Sequence, residues 1–341
     1  MRAVTVDGAV RADFSQLAAP LRRELLVHCY RMLGSMHDAE DLVQETYLRA
    51  WRSYDGFEGR SSLRTWLYRI ATTVCLRAME NRGRRPLPVG LGAPGADPEE
   101  RPIHDGETPW LEPLPDALLR REREDPAAIV SARQSVRLAF VAALQHLPPR
   151  QRAVLILRDV LQWRAVEVAD LLGRSPAAVN SLLQRARATL GQLSPREDRV
   201  TEPTTAAERE LLDRYVTAFE AKDIAGLVRL FAPDAVWEMP PYTSWYRGPR
   251  DIGRHLALRC LATPGPVRLV PTAANGQPAL AGYVAAGGST FALTNLQVLS
   301  VTSTAITRIT VFSDPRLFTA FGLPASVAAA QMNELAPANG C

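Results

Sequence analysis

Asp38, Asp41 and Glu45 are spaced by three and four residues, so on a helix they share one face. With Glu40 and Gln44 beside them, that face suits a basic protein surface, and Leu42 and Leu48 are expected to turn into the core. A second set of residues lies in RAVEVADLLGRSPAAVNSLLQRARATL, residues 164–190. Here Ala177, Ala178, Asn180, Ser181 and Gln184 could face base edges while Arg185 and Arg187 reach phosphates. The segment FEGRSSLRTWLYRIATTVCLRAMEN, residues 57–81, interleaves Trp66 and Tyr68 with Arg64, Arg69 and Arg77. Capture of a single strand uses such a mixture, because stacking and charge attraction both tolerate sequence variation. All three patterns are chemistries of recognition. Glu238, Asp251, His255 and Asp314, residues of types able to move protons, lie in the last third of the chain. A lone histidine on a helix is more often a satisfied structural residue than a base, so catalysis is not expected there.

Helices must position these residues, and the caps that would end and start them are legible. Gly173 closes one helix and Ser175 caps the next, with Pro176 at its first position. Small Ala169 lets the pair approach, and Val166, Val168, Leu171, Leu172, Val179, Leu182 or Leu183, and Leu190 are the expected shared core. The bland reading of the same pattern is an ordinary helical hairpin with a solvated basic face. The run Leu21, Leu25, Leu26, Cys29, Met32, Leu33 marks an earlier helical block reaching to about Arg82.

The net charge of +4 hides a pattern along the chain. Residues 1–95 carry 14 arginines against 10 acids, and residues 127–199 carry 11 against 5. Between them, residues 96–126 hold 10 acids and 4 arginines, a spacer that a polyanion would avoid. Its text, including GLGAPGADPEERP, is too polar and Pro/Gly-rich to fold alone, although Trp110–Asp116 is apolar enough to need a docking surface. Cys29, Cys75, Cys260 and Cys341 are scattered and form no CxxC pair, so reduced thiols are expected, with no disulfide framework and no metal site. No window is apolar enough for a transmembrane helix and no secretion signal opens the chain, which makes the cytoplasm the expected address.

The segment LQHLPPRQRAVLILRDVLQWRAVEVADLLGRSPAAVNSLLQRARATL resembles region four of the extracytoplasmic-function (ECF) group of sigma-70-family factors, and DAEDLVQET, residues 38–46, resembles their region two. The resemblance covers roughly residues 14–193. It implies that Asp38, Glu40, Asp41, Gln44 and Glu45 face the clamp helices of the largest subunit of core RNA polymerase. It implies a minus-ten promoter contact at Arg60, Ser61, Ser62, Arg64, Trp66, Arg69 and Arg77, with a loop around Glu58–Ser62 holding a flipped base. It further implies a minus-thirty-five contact at Ser175, Ala177, Ala178, Asn180, Ser181, Gln184, Arg185 and Arg187. Family members usually place basic residues where this chain has Asn180 and Leu182, which should weaken phosphate anchoring and the salt dependence of binding.

After about residue 204 the texture changes. Helical periodicity holds in Arg209–Glu220 and Ala225–Phe231, then strands are expected at Ala235–Met239, Val267–Thr272, Leu280–Ala285, Ser289–Val301 and Ala305–Phe312, with a hairpin at Asn275-Gly276. Residues 204–325 resemble the SnoaL-like branch of the nuclear-transport-factor-like cone fold. By that resemblance the tail contacts the sigma core and modulates it, through Trp110–Asp116 and Asn275-Gly276-Gln277-Pro278. Trp237, Trp245 and His255 are the candidate pocket residues, with a small-molecule ligand as candidate occupant. Met239, Tyr242 and Tyr246 are expected at its mouth.

The expected fold is multidomain: two all-α sigma domains, a region 2 helical bundle and a region 4 helix-turn-helix, plus a C-terminal α+β cone-shaped SnoaL-like domain. The expected boundaries are 10–84 for region 2, 85–126 for a linker with a docking motif, 127–195 for region 4, 204–325 for the cone and 326–341 for a tail. The expected function is a DNA-binding sigma factor that brings core polymerase to promoters, with no enzyme activity, cofactor, metal or membrane association. Its rivals are a one-component helix-turn-helix regulator with a ligand-sensing tail and a cyclase-like enzyme with an accessory DNA-binding part.

Overall fold

In a computed structural model, residues 14–80, 83–92, 94, 97–119, 134–193, 206–262, 264–332 and 334–335 are described. The chain divides into two units, one made of residues 1–85 with 118–194 and the other of residues 86–117 with 195–341. The start of the expected second helical block (127–133), the polar hinge 194–205 and Cys341 lie outside the described residues.

The first unit is helical: α1 (Arg22–Leu33), α2 (Met36–Ser53), α3 (Leu63–Glu80), α4 (Leu138–Leu144), α5 (Pro149–Leu155), α6 (Ala165–Leu172) and α7 (Pro176–Leu193). Helix α1 stops at Gly34, whose φ of 71° is left-handed, and Ser35 starts α2 by accepting the Asp38 amide at 3.1 Å. The same logic builds the α6–α7 turn. Gly173 is left-handed at φ 61°, and the Ser175 hydroxyl accepts the Ala178 amide at 3.2 Å. Leu25, Leu26, Cys29, Met32, Val43, Leu67, Ala71 and Cys75 are buried across α1–α3, and Cys29 and Cys75 are free thiols. In α7, Val179, Leu183 and Ala186 form the buried stripe.

Two core expectations fail. Leu48 is 49% exposed and Val166 is 64% exposed, because each lies off the buried stripe of its helix, Leu48 on the side opposite Thr46 and Ala50. In α2 that stripe runs through Ala39, Val43, Thr46 and Ala50.

The second unit packs α8 (Ala206–Glu220), α9 (Ile224–Val228) and α10 (Pro249–His255) with a seven-stranded sheet ordered β2-β1-β6-β5-β4-β3, β7 pairing with β5. The strands are β1 (Phe231–Glu238), β2 (Trp245–Arg247), β3 (Val267–Ala274), β4 (Gln277–Ala285), β5 (Thr290–Val301), β6 (Ile306–Phe312) and β7 (Ser326–Ala328), and only β1 with β6 is parallel. The β3–β4 turn is the expected Asn-Gly hairpin, with Asn275 at φ 58° and Gly276 at φ 66° between the Ala274–Gln277 pair. Strands β2 and β7 and helix α11 (Pro315–Ala320) were not legible in the sequence. The core gathers Leu211, Tyr215, Phe219, Trp237, Tyr246, Ile252, Leu256, Leu299 and Ile309.

The acidic spacer does not stay in water. Leu87, Leu111 and Leu114 are buried, and residues 86–117 group with the α+β domain, bonded to it at several of the described residues. A hydrogen-bonded docking surface supplies what its composition lacks for folding alone.

Candidate nucleic-acid interface

Three surfaces of the helical unit carry the residues singled out above. On α2, Asp41 and Gln44 are exposed and align with Leu48 and Trp51, so the outer stripe mixes acid, amide and apolar groups. Asp38 faces another way and pairs with the Arg85 guanidinium, both side chains being mostly buried. Glu45 pairs with Arg49 at 2.6 Å, one turn on. Glu40 is half-buried.

The loop before α3 exposes Arg60 and Ser62, with Arg60 held by Glu58 and the Ser62 hydroxyl capping α3 at the Thr65 amide, 3.1 Å. Behind the loop is an aromatic cluster: Trp66 against Phe57 at 4.9 Å, Phe57 stacked on Tyr54 at 6.1 Å, and Phe14 against Tyr54 at 4.9 Å. Trp66 is half-buried. Arg64 donates to Glu24 at 2.7 Å and lies over the Tyr68 ring at 4.9 Å. Arg69 donates to Asp170 of α6 at 2.6 Å. Arg77 is exposed.

Tyr68 does not face a strand. It is 2% exposed, edge-on to Trp163 and to His28. Burial, reinforced by the nearby Arg31 charge, lowers the His28 pKa to about 3, so its imidazole is neutral; Nε2 lies 2.9 Å from the Thr72 hydroxyl.

On α7, Ala177, Asn180, Ser181, Gln184, Arg185 and Arg187 are exposed, and Ser175 and Ala178 flank them at the helix start. Arg187 is engaged by Asp159 through two bonds, 2.9 and 2.7 Å. The exposed face of α7 thus carries short polar groups with Arg185 beside them.

Sequence reading missed the acids that answer these arginines: Glu24, Asp159 and Asp170. Only charge was visible in them, because the pairing partners are far apart in the chain.

Buried arginines join the helices. Arg152 of α5 donates to the Met32 carbonyl at the end of α1, to Gln145 Oε1 at 2.8 Å and to the Leu147 carbonyl at 3.2 Å. Arg31 donates to the Ser135 hydroxyl at 2.6 Å.

The pocket candidates separate. Trp237 and Tyr246 are cross-strand partners, as are Glu238 and Trp245 one residue on, so period-two alternation puts the two pairs on opposite faces of the sheet. Trp237 and Tyr246 join the core face, where His255 stacks on Tyr246 at 4.4 Å and lies 6.4 Å from Trp237. Burial, with a smaller effect of Arg259, lowers the His255 pKa to about 4, and the Cys260 sulfur is 3.4 Å from its Nε2. Trp245 instead meets the docked spacer, donating its indole N–H to the Gly92 carbonyl at 3.2 Å. Glu238 accepts from Arg308 and Thr310, each at 3.0 Å, and from the Val89 amide at 3.2 Å. Met239 is buried in the core and Tyr242 meets His104 of the spacer edge-on. Asp251 lies in the first turn of α10, and Asp314 caps α11 at the Arg316 amide.

The spacer's second anchor is the β3–β4 turn. Leu114 donates its amide to Asn275 Oδ1 and accepts from the Asn275 amide, both at 2.8 Å, while Asp116 accepts the Gly276 amide at 2.7 Å. Among the described residues no helix is long and apolar enough to cross a membrane, and no cluster of metal-ligating side chains occurs.

Residues 17–85 match the family model Sigma-70 region 2, residues 137–190 match Sigma-70, region 4, and residues 212–311 match the SnoaL-like domain. The chain is 56% identical over 319 residues to the ECF RNA polymerase sigma factor SigG of Mycobacterium tuberculosis, covering 93% of this chain and 85% of that protein. It is 32% identical over 218 residues to the ECF RNA polymerase sigma factor SigJ of the same organism, covering 64% of this chain and 62% of that one. The crystal structure of M. tuberculosis SigJ superposes with a TM-score of 0.55 at 24% identity, covering 90% of this chain and 98% of that chain, which is a likeness of fold.

Proposed function

This chain belongs to the ECF RNA polymerase sigma factors, which act with core polymerase at promoter DNA, and from that premise we propose how its residues divide the work. Asp41, Gln44 and Leu48 on the outer stripe of α2 dock on the polymerase clamp helices, with Glu40 and Glu45 at the rim. Their exposure supports this reading, because an apolar side chain left in water beside acids is what a partner surface would cover. Asp38 acts indirectly, as the partner of Arg85.

The loop Arg60–Ser62, Trp66, and Arg64, Arg69 and Arg77 take the minus-ten strand. Ala177, Ala178, Asn180, Ser181, Gln184 and Arg185 read the minus-thirty-five element, with Ser175 setting the helix start and Arg187 reaching phosphate once it leaves Asp159. The single observation that carries this assignment is the polar, exposed face of α7 opposite its buried Val179, Leu183 and Ala186 stripe.

The α+β domain modulates these modules and turns over no substrate. His255 is kept neutral among aromatic rings, and Glu238 is bound to Arg308 on the opposite face of the sheet. The buried, unpartnered ring nitrogens Trp237 Nε1 and His255 Nδ1 favour the core face as the place a neutral small molecule would bind. The protein acts in the cytoplasm, where its polymerase is.

Transcription in vitro with purified core polymerase, comparing the full chain with one lacking residues 204–341, tests the reading. The full chain should give promoter-dependent transcripts and the shortened one an altered yield. Absence of any holoenzyme would end it.

A further inference from the structure

Helix α10 runs on into a π-helical turn, Leu256–Cys260, whose closing bond goes from the Leu261 amide to the Leu256 carbonyl at 2.9 Å. On a regular α-helix two residues five apart stand about 140° apart around the axis. The wider turn reduces that angle and sets the Cys260 sulfur 3.4 Å from His255 Nε2.

Burial pushes the Cys260 thiol up to about 12 and His255 down to about 4, so at neutral pH sulfur and ring carry one proton each. A bare ring nitrogen accepts better than a thiol sulfur does, so the contact is made with Cys260 donating to Nε2. The ring proton is then on Nδ1, because the bond made by one ring nitrogen sets the state of the other.

Neither His255 Nδ1 nor Trp237 Nε1 meets a partner among the described residues. Both residues are 1% exposed, and their ring centroids lie 6.4 Å apart, so two unmet N–H donors share one patch of the core face. Buried donors left without an acceptor are costly and rare. The core around them is apolar, with Leu211, Ile252, Leu256 and Leu299 in it and the Tyr246 ring stacked on His255. A carboxylate placed there would lose its water among hydrocarbon, and a hydroxyl or amine would bring a donor of its own. A carbonyl oxygen brings two lone pairs and no charge.

We propose that Cys260 fixes His255 as the Nδ1–H tautomer and thereby makes this patch a donor-only site, which takes a neutral, largely apolar ligand by its carbonyl oxygen. The proposal rests on the core face being the ligand's place, as given under the proposed function, and adds the ligand class and the residue that sets it. Cys260 is a positioning residue, since it acts through His255.

The test is nuclear magnetic resonance on the full-length chain, isotopically labelled at the nitrogens of histidine and tryptophan, with His255→Gln and Trp237→Phe assigning the two resonances. In the parent, and in Cys260→Ser, whose hydroxyl donates in the thiol's place, His255 should show a protonated Nδ1 and a bare Nε2. Cys260→Ala should move the proton toward Nε2. A bare Nδ1 in the parent, or an unchanged tautomer in Cys260→Ala, overturns the proposal.

Acetophenone and α-methylstyrene, in which a methylene group replaces the carbonyl oxygen, are the probes. Acetophenone should shift the N–H resonances of both His255 and Trp237 and bind the parent at least about tenfold more tightly than α-methylstyrene, a preference that Cys260→Ser keeps and Cys260→Ala loses in part. Equal affinities of two probes that both shift these resonances sink the donor selection alone. Resonances unmoved by either probe mean that the donors hold a buried water at most, and the core face as a ligand site falls as well.

Discussion

Arg69 and Asp170 stand 101 positions apart in the chain and 2.6 Å apart in space, so an arginine of α3 is answered by an acid on the first helix of the helix-turn-helix. The other named arginines show how general the pairing is. Arg60, Arg64 and Arg187 each have a carboxylate partner as well. Much of the basic charge read from the sequence is thus compensated before DNA arrives, and binding has to exchange one anion for another.

Asp170→Asn should therefore strengthen binding of a minus-ten single strand to the free full-length chain. Freeing one cation should steepen the salt dependence, log affinity against log salt gaining a slope of about −0.7. Fluorescence anisotropy across a salt series reads both. Stability should change by less than about 1 kcal/mol, the pair being largely exposed.

Arg152→Met should destabilise the helical unit by about 2 to 4 kcal/mol, because the Met32 and Leu147 carbonyls and Gln145 lose a buried charged donor. Urea unfolding followed by circular dichroism measures it. Loss of less than about 0.5 kcal/mol would mean that water replaces the guanidinium freely.

His28 is neutral when folded down to about pH 3, while in the unfolded chain it takes a proton below about pH 6.5. The unfolded state therefore binds more protons in that window, and stability falls as pH drops through it. The contribution lost by pH 5 is about 2 kcal/mol. His28→Gln should flatten the decline between pH 7 and pH 5 in urea midpoints, leaving a comparable share due to His255, neutral down to about pH 4.

Glu238→Ala should leave Arg308 without its buried carboxylate and the Val89 amide without an acceptor. A cost of about 3 to 5 kcal/mol is expected for the α+β unit. Limited proteolysis should then cut first within residues 86–92. Glu238→Gln, which keeps an acceptor for Val89, should be cut more slowly.

Asp41→Lys should weaken assembly with core polymerase by about tenfold while leaving the melting temperature unchanged, since the side chain is exposed and the effect lies in association. Leu48→Ala should weaken it similarly. Competition against the parent chain for a limiting amount of core gives the ratio.

Local chemistry was legible without a structure. The left-handed Gly173, the Ser175 cap and the Asn275-Gly276 turn each depend on a few adjacent residues, so their types suffice to place them. The charge blocks and the two helical modules were readable for the same reason, as were most strands. Leu48 and Val166 mark the limit. A hydrophobic residue counts as core in a periodic pattern, but the buried width of a helix depends on what packs against it, and here both residues fall outside.

The sequence alone determined most of the segments that become helices and strands and where several of them are capped, because a helical period and a turn are set within a few residues. Only the tertiary structure decided which arginines are engaged and by which acid, that Trp245 and Trp237 face opposite ways, and that an acidic spacer unfit to fold alone closes into a loop on the α+β domain. Those outcomes depend on groups up to 161 residues apart meeting within hydrogen-bond distance. No local pattern encodes such meetings, because they are selected by the free energy of the whole packed chain.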